Sequence, residues 1–168
     1  TNLGGEGSYR QDFPVPVVNP ANPLGPGYED GDVLQAQVSA IHLIRPTFLW
    51  DNAQFTAEVG WNRVSSVDAV LLNDKSAWGY TARFAPDYFN ILPGLDLNVP
   101  ITFKQNVNGK SSVQGTFTED ANSLSIGLNF KYNQIWQCDF TYVAQLGDPE
   151  DNSKTDRDTI GFVVKRTF

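Results

Sequence analysis

Hydrophobic and polar residues alternate along most of this chain with a period of two. The clearest stretch is LSIGLNFKYNQIWQCDFTYVAQL, residues 124–146. Leu124, Ile126, Leu128, Phe130 and Tyr132 alternate with Ser125, Gly127, Asn129 and Lys131. The apolar series resumes as Trp136, Cys138, Phe140, Tyr142 and Ala144, set against Gln137, Asp139, Thr141 and Gln145. Such a period puts successive side chains on opposite faces of a strand. It predicts two strands of about ten residues closed into a hairpin at 133–135. The pattern recurs at 33–44, 54–64, 77–85, 96–104 and 159–168. Seven strands result, with no segment of helical period.

Hairpin neighbours must keep like faces together, and this predicts registers. Trp61 opposite Trp78 also aligns Val59 with Tyr80 and Phe55 with Phe84. Tyr132 opposite Trp136 aligns Leu128 with Phe140 and Ile126 with Tyr142. Trp136 opposite Phe168 aligns Phe140 with Val164 and Tyr142 with Phe162. On the polar face these registers set Glu58 diagonal to Arg83 and Lys131 diagonal to Asp139, as charge partners. Pro100 interrupts the fourth strand and predicts a bulge or kink. FPVPVVNPANPLGPGYEDGD holds five prolines, so residues 1–31 read as a long external Pro/Gly-rich loop, and residues 32–168 as the strands.

The apolar face could meet a protein core or lipid. Alternation alone suits a soluble sandwich equally well. Three features favour lipid. The strands run about nine to eleven residues, the length that crosses a tilted bilayer span. Aromatics close the apolar face at both ends, Trp61, Trp78, Tyr80, Phe103 and Tyr142 at one level and Phe84, Tyr132, Trp136 and Phe168 at the other, as in interfacial girdles. Links at 65–76, 105–121 and 147–158 are long and polar, whereas those at 45–53, 86–95 and 133–135 are short. The expected fold is all-β, a transmembrane antiparallel up-and-down β-barrel of which about seven strands lie here. Its location would be the bacterial outer membrane.

Composition narrows the function classes. A net charge of −7 argues against a nucleic-acid partner, whose phosphates need a basic surface. The hydrophobic fraction of 40 % and mean hydropathy of −0.31 come without an apolar run of membrane-helix length. The lone Cys138 can form no internal disulfide and reads as a small apolar residue on the lipid face. A chain starting at Thr1 with seven strands reads as part of a longer protein.

Little of the sequence points to catalysis. His42 is the single histidine, and its parity places it on the apolar face near an interface, with no Ser or carboxylate beside it there. The acidic stretch with Asp148, Glu150, Asp151, Asp156 and Asp158 lacks the spacing and glycine of a calcium hand. It reads as a solvated external loop. No enzyme, metal or cofactor is expected. Glu58, Arg83, Lys104, Lys131, Asp139 and Lys165 are the charges that would face a lumen, where they pair, hydrate the wall or set solute selectivity. Four bases against two acids anticipate a mild preference for anions.

Four segments carry a resemblance: GDVLQAQVSAIHLI, EVGWNRVSSVD, AWGYTARFAPDYFNILPGLDLNVPITF and the closing DRDTIGFVVKRTF. From about residue 28 onward the chain resembles a family of proteobacterial outer-membrane proteins of unknown function, most specifically in LPGLDLNVP. Family members are longer, so the resemblance implies a C-terminal part. It implies outer-membrane lipid and lipopolysaccharide as surroundings and insertion by the barrel-assembly machinery. Some members are linked with inner-membrane efflux-type transporters. Terminal Phe168 resembles the insertion signal, although Arg166 stands where that signal usually has an aromatic. The expected function is a channel for small or amphiphilic solutes. The alternatives are a structural or efflux-associated barrel without its own pore and a soluble lipocalin-like binding domain.

Overall fold

The computed structural model describes residues 1–20, 25–113, 117–149 and 155–167. One antiparallel sheet accounts for every element: β1 (Asn2–Val17), β2 (Gly27–Ile44), β3 (Asn52–Ser66), β4 (Ser76–Leu92), β5 (Leu95–Asn98), β6 (Ile101–Asn108), β7 (Asn122–Tyr132), β8 (Trp136–Leu146) and β9 (Thr159–Arg166). Each strand pairs with its chain neighbours in up-and-down order. β5 and β6 are two halves of one pass, since both lie between β4 and β7. Among the described residues β1 and β9 do not touch, and the sheet is open.

The predicted registers of two hairpins hold residue for residue. Trp61 faces Trp78, Val59 faces Tyr80 and Phe55 faces Phe84. Tyr132 faces Trp136, Leu128 faces Phe140 and Ile126 faces Tyr142. Two glycine- and asparagine-bearing turns close the short-link end. Pro93-Gly94 turns with Gly94 at φ 76°, the left-handed second corner that a Pro-Gly turn requires. Asn133 and Gln134 are left-handed in succession, φ 49° and 57°, as in a primed hairpin turn.

Three expectations are corrected. Residues 1–31 are not one loop: Asn2–Val17 form β1, paired with β2 on both sides of an irregularity between Arg10 and Phe13, and β2 already begins at Gly27. Its prolines are tolerated because β1 is an edge strand. Pro16 accepts a hydrogen bond from Leu72 N on the side away from β2, so its missing N–H costs no bond of the ladder. With β1 the sheet has eight passes rather than seven, and Asn2 and Arg166 both lie at the short-link end. Second, Pro100 interrupts the strand between β5 and β6, as expected, but makes no bulge. Asn98 faces Asn129 and Ile101 faces Ile126, three residues apart on both strands, so the register runs straight through. Gly127 makes this possible, because a side chain there would stand 2.8 Å from Pro100 Cγ. Third, the β8–β9 register sits two residues from that expected. Trp136 faces Arg166, Phe140 faces Phe162 and Tyr142 faces Ile160. The shift keeps the faces, stacks Phe140 on Phe162 at 4.6 Å and lays the Arg166 guanidinium over Trp136.

The accessible surface is 10911 Å², against about 8,200 Å² for a compact soluble protein of this mass. The surplus is explained by where the core sits. Val15, Val17, Val33, Val64 and Val113 form a small buried cluster at the long-link end, with Phe13, Val67, Ala69 and Leu71 against it. Val33 and Val64 face each other on the same side as Gln35 and Asn62, so this core lies on the polar face. Among the described residues the apolar face has no such core. Val38, Val59, Ile126, Leu128 and Phe140 are all exposed on it.

Candidate functional site

The two faces of the sheet are chemically distinct from edge to edge. One cross-strand row on the apolar face runs His42, Phe55, Phe84, Ile101, Ile126, Tyr142 and Ile160. At β2 this row lies two residues from a short link, and at β9 one residue from a long one. The strands are therefore tilted against the sheet's rims, the stagger that closing a sheet into a barrel demands.

Of the aromatics expected in two girdles, Trp61, Trp78, Tyr80, Tyr132, Trp136 and Tyr142 lie in the outer parts of their strands, whereas Phe84 is the midpoint of β4 and Phe103 lies in the middle of the β5–β6 pass. Trp61 and Trp78 are a facing pair by the long link between β3 and β4, and Trp61 Nε1 donates to Ser76 Oγ at 2.9 Å. Tyr80 and Phe103 are ring neighbours, 6.2 Å between centroids, and Tyr80 OH donates to Gln105. Tyr142, by the long link after β8, donates its hydroxyl to Asp158. Phe84 meets Trp50 edge-on at 5.3 Å, and at the opposite end Tyr132 faces Trp136 across the turn. Phe168 lies outside the described residues.

Glu58, Arg83, Lys104, Lys131, Asp139 and Lys165 all fall on the polar face. Glu58, Thr81 and Lys104 share one row, Thr56, Arg83 and Thr102 the next, and Lys131, Gln137 and Lys165 a third. Their expected partners differ. Asp139 pairs with Lys165 at 3.8 Å and accepts from Gln137 Nε2 at 2.8 and 3.0 Å, not from Lys131. The expected register would have set Lys165 directly opposite Asp139; the observed one sets it diagonal, opposite Gln137. Among the described residues no ion pair joins Glu58 to Arg83.

Further residues share the polar face with the six expected charges, Asp96, Asn98 and Asn129 among them as the alternation has it. Glu6 and Arg10 come with β1. Asp87, Asn98 and Asn129 form a hydrogen-bonded ladder, Asn98 Nδ2 donating to Asp87 at 2.8 Å and Asn129 Nδ2 to Asn98 at 3.2 Å. Lys131 faces Asp96. Glu6, Asp87 and Asp96 thus join the two acids, and Arg10 joins the four bases. The signs balance, which removes the basis for an anion preference.

The long links fold over this face at one end. Ser111 Oγ donates to Asn62 Oδ1 at 3.0 Å, Ser112 Oγ to the Asp74 carbonyl at 3.0 Å, and Lys110 N to the Asp74 carboxylate at 2.7 Å. Ser111 and Ser112 are each only 2 % exposed. Beneath them Asn62 Nδ2 and Asn106 Oδ1 are buried with no partner among the described residues, a cost of about 1–3 kcal/mol each unless water reaches them.

His42 is exposed on the apolar face, as its parity predicted, with Nδ1 2.7 Å from Thr1 Oγ1. Cys138 is on the same face, between Phe130 and Val164. Of the acidic loop, Asp148, Asp156 and Asp158 are described, whereas Glu150 and Asp151 lie outside the described residues. No three His, Cys, Asp or Glu side chains converge as metal ligands among the described residues. Asp158 instead accepts from Tyr142 OH and from Gln145 N, and the first of these chiefly holds its carboxyl below the ordinary value of 3.8.

The chain matches, over residues 1–168, the family described as "Protein of unknown function (DUF1302)". It belongs to the DUF1302 family. The match includes β1, so the DUF1302 pattern extends upstream of the residues that carried the sequence resemblance. Neither a characterised protein nor a solved structure matches the chain. What this DUF1302 protein does must be argued from its two faces.

Proposed function

We propose that this chain forms part of a bacterial outer-membrane β-barrel whose polar face lines a water-filled path for small or amphiphilic solutes. The observation that carries the reading is the unbroken, exposed apolar face, seven strands wide in a single row and flanked by aromatics near the strand ends. In water it would be an aggregation surface far above the few hundred Å² usual for a soluble monomer. Against lipid it is the surface a spanning strand requires. The eight passes, short links at one end and long ones at the other support the same placement. Outer-membrane lipid and lipopolysaccharide then surround the apolar face, and the barrel-assembly machinery inserts the protein. The free edges of β1 and β9 must be paired in hydrocarbon, with each other or with further strands.

A soluble binding domain is disfavoured by the same exposed face, and no catalytic role is assigned. One observation favours a second reading: the links packed over the polar face at the long-link end obstruct part of that face. A structural or efflux-associated component without its own pore, working with an inner-membrane transporter, would tolerate such obstruction. Full-length protein reconstituted in planar bilayers separates the two. A pore conducts, and replacing Arg83 and Lys104 with Glu moves its reversal potential toward cations. A tight barrel with neither ion nor solute flux would favour the second reading.

A further inference from the structure

Gly60 and Gly79 face each other across β3 and β4 on the polar face, leaving a floor with no side chains. Phe117 lies on it. A methyl group at Gly60 would stand 3.0 Å from Phe117 Cζ, and one at Gly79 would meet the Gln105 carbonyl at 2.6 Å. A large ring is thus held on an otherwise hydrophilic wall, where nothing in the alternation of the strands supplies an aromatic. Its backbone is fixed as well. The Phe117 carbonyl accepts from Ser111 N at 2.8 Å, Ser111 is bonded to Asn62, and Glu119 accepts from Gly109 N at 2.8 Å.

The ring divides the polar face into two hollows that share Gln37, Gly60 and Phe117. One, of about 280 Å³, is lined by Glu6, Arg10 and Asn62. The other, of about 200 Å³, is lined by Glu58, Lys104 and Asn106. Both are smaller than the roughly 300–1,000 Å³ of a site that encloses a drug-sized ligand. Each side of the ring carries one acid and one base, so the local field favours neither sign.

We propose that Phe117 is the constriction residue of the solute path, selecting by cross-section rather than by charge and passing slender solutes while excluding bulky ones. This rests on the pore reading above. Because the ring is seated on glycine and its backbone is tied to Ser111, the constriction is a fixed part of the wall.

The test is single-channel conductance and the sugar-size cut-off in liposome swelling for the full-length protein, with Phe117→Ala, Phe117→Leu and Phe117→Trp. Phe117→Leu keeps apolar packing on the glycine floor while removing the ring, so it remains informative should Phe117→Ala fold poorly. Expected are a higher conductance and entry of larger neutral sugars for Ala and Leu, lower values for Trp, and an unchanged reversal potential for all three. Folded variants that conduct as the wild type does, with the same cut-off, would reduce Phe117 to a packing residue and overturn the constriction. A wild-type protein that conducts nothing would overturn the pore reading, and the constriction with it.

Discussion

Leu128→Arg and Asn129→Arg introduce the same side chain one residue apart, on opposite faces of β7. Leu128 is 40 % exposed, near the middle of the β7–β8 hairpin, with Phe140 opposite. If lipid covers that face, arginine there costs ~2–4 kcal/mol. This is a roughly 30- to 900-fold loss in the folding equilibrium. Asn129 faces Asp139 and donates to Asn98 at 3.2 Å. Arginine there forfeits one hydrogen bond, about 1 kcal/mol, and gains a carboxylate neighbour. The gap between the variants should therefore be about 1–3 kcal/mol. If water covered Leu128 instead, its replacement would stay within about 0.5 kcal/mol of wild type and the order would reverse. Urea titration of the full-length protein folded into liposomes, followed by tryptophan fluorescence, reads the difference. Equal midpoints, or a worse result for Asn129→Arg, would refute the assignment of the faces.

Two further outcomes follow from local geometry. Gly127→Ala should destabilise the sheet by about 1–3 kcal/mol through overpacking on Pro100 Cγ, and Pro100→Ala in the same chain should recover most of it. Simple additivity in that double-mutant cycle would deny the contact. The carboxyl of Asp158 is held below 3.8 by its bond from Tyr142, so the tether is intact above that pH and is lost as pH falls below it. Limited proteolysis by pepsin of the link after β8 should accelerate below pH 3.8, and Asp158→Asn should cleave at a pH-independent relative rate; an identical acid response in both would exclude the tether.

Much of the sheet was legible in the chain because facing aromatics lock register. The Trp61–Trp78 and Tyr132–Trp136 pairs left little freedom, and the short links set the rest. The last strand was harder. With Ile160, Phe162 and Val164 all apolar, a two-residue slip preserves the faces, and packing of Phe140 on Phe162 and of Arg166 on Trp136 chooses between registers. β1 was invisible because Gly4, Gly5 and Gly7 carry no polarity signal and Pro14 and Pro16 argue against a strand, unless one knows that it forms an edge. Straight passage through Pro100 depends on Gly127, which is distant in sequence. The same holds for Phe117 on Gly60 and for Ser111 on Asn62. Parity assigned the six charges to a face, but not their partners, since partners depend on registers and on links that cross the face.

The claim on which everything else stands is that lipid meets one face of the sheet and water the other. A nitroxide scan of residues 124–132 tests it directly, in full-length protein carrying Cys138→Ser and reconstituted in liposomes. Collisions with oxygen should peak at 124, 126, 128, 130 and 132, and collisions with a polar nickel chelate at the positions between. High chelate accessibility at Leu128 and Phe130, in phase with oxygen, would contradict it.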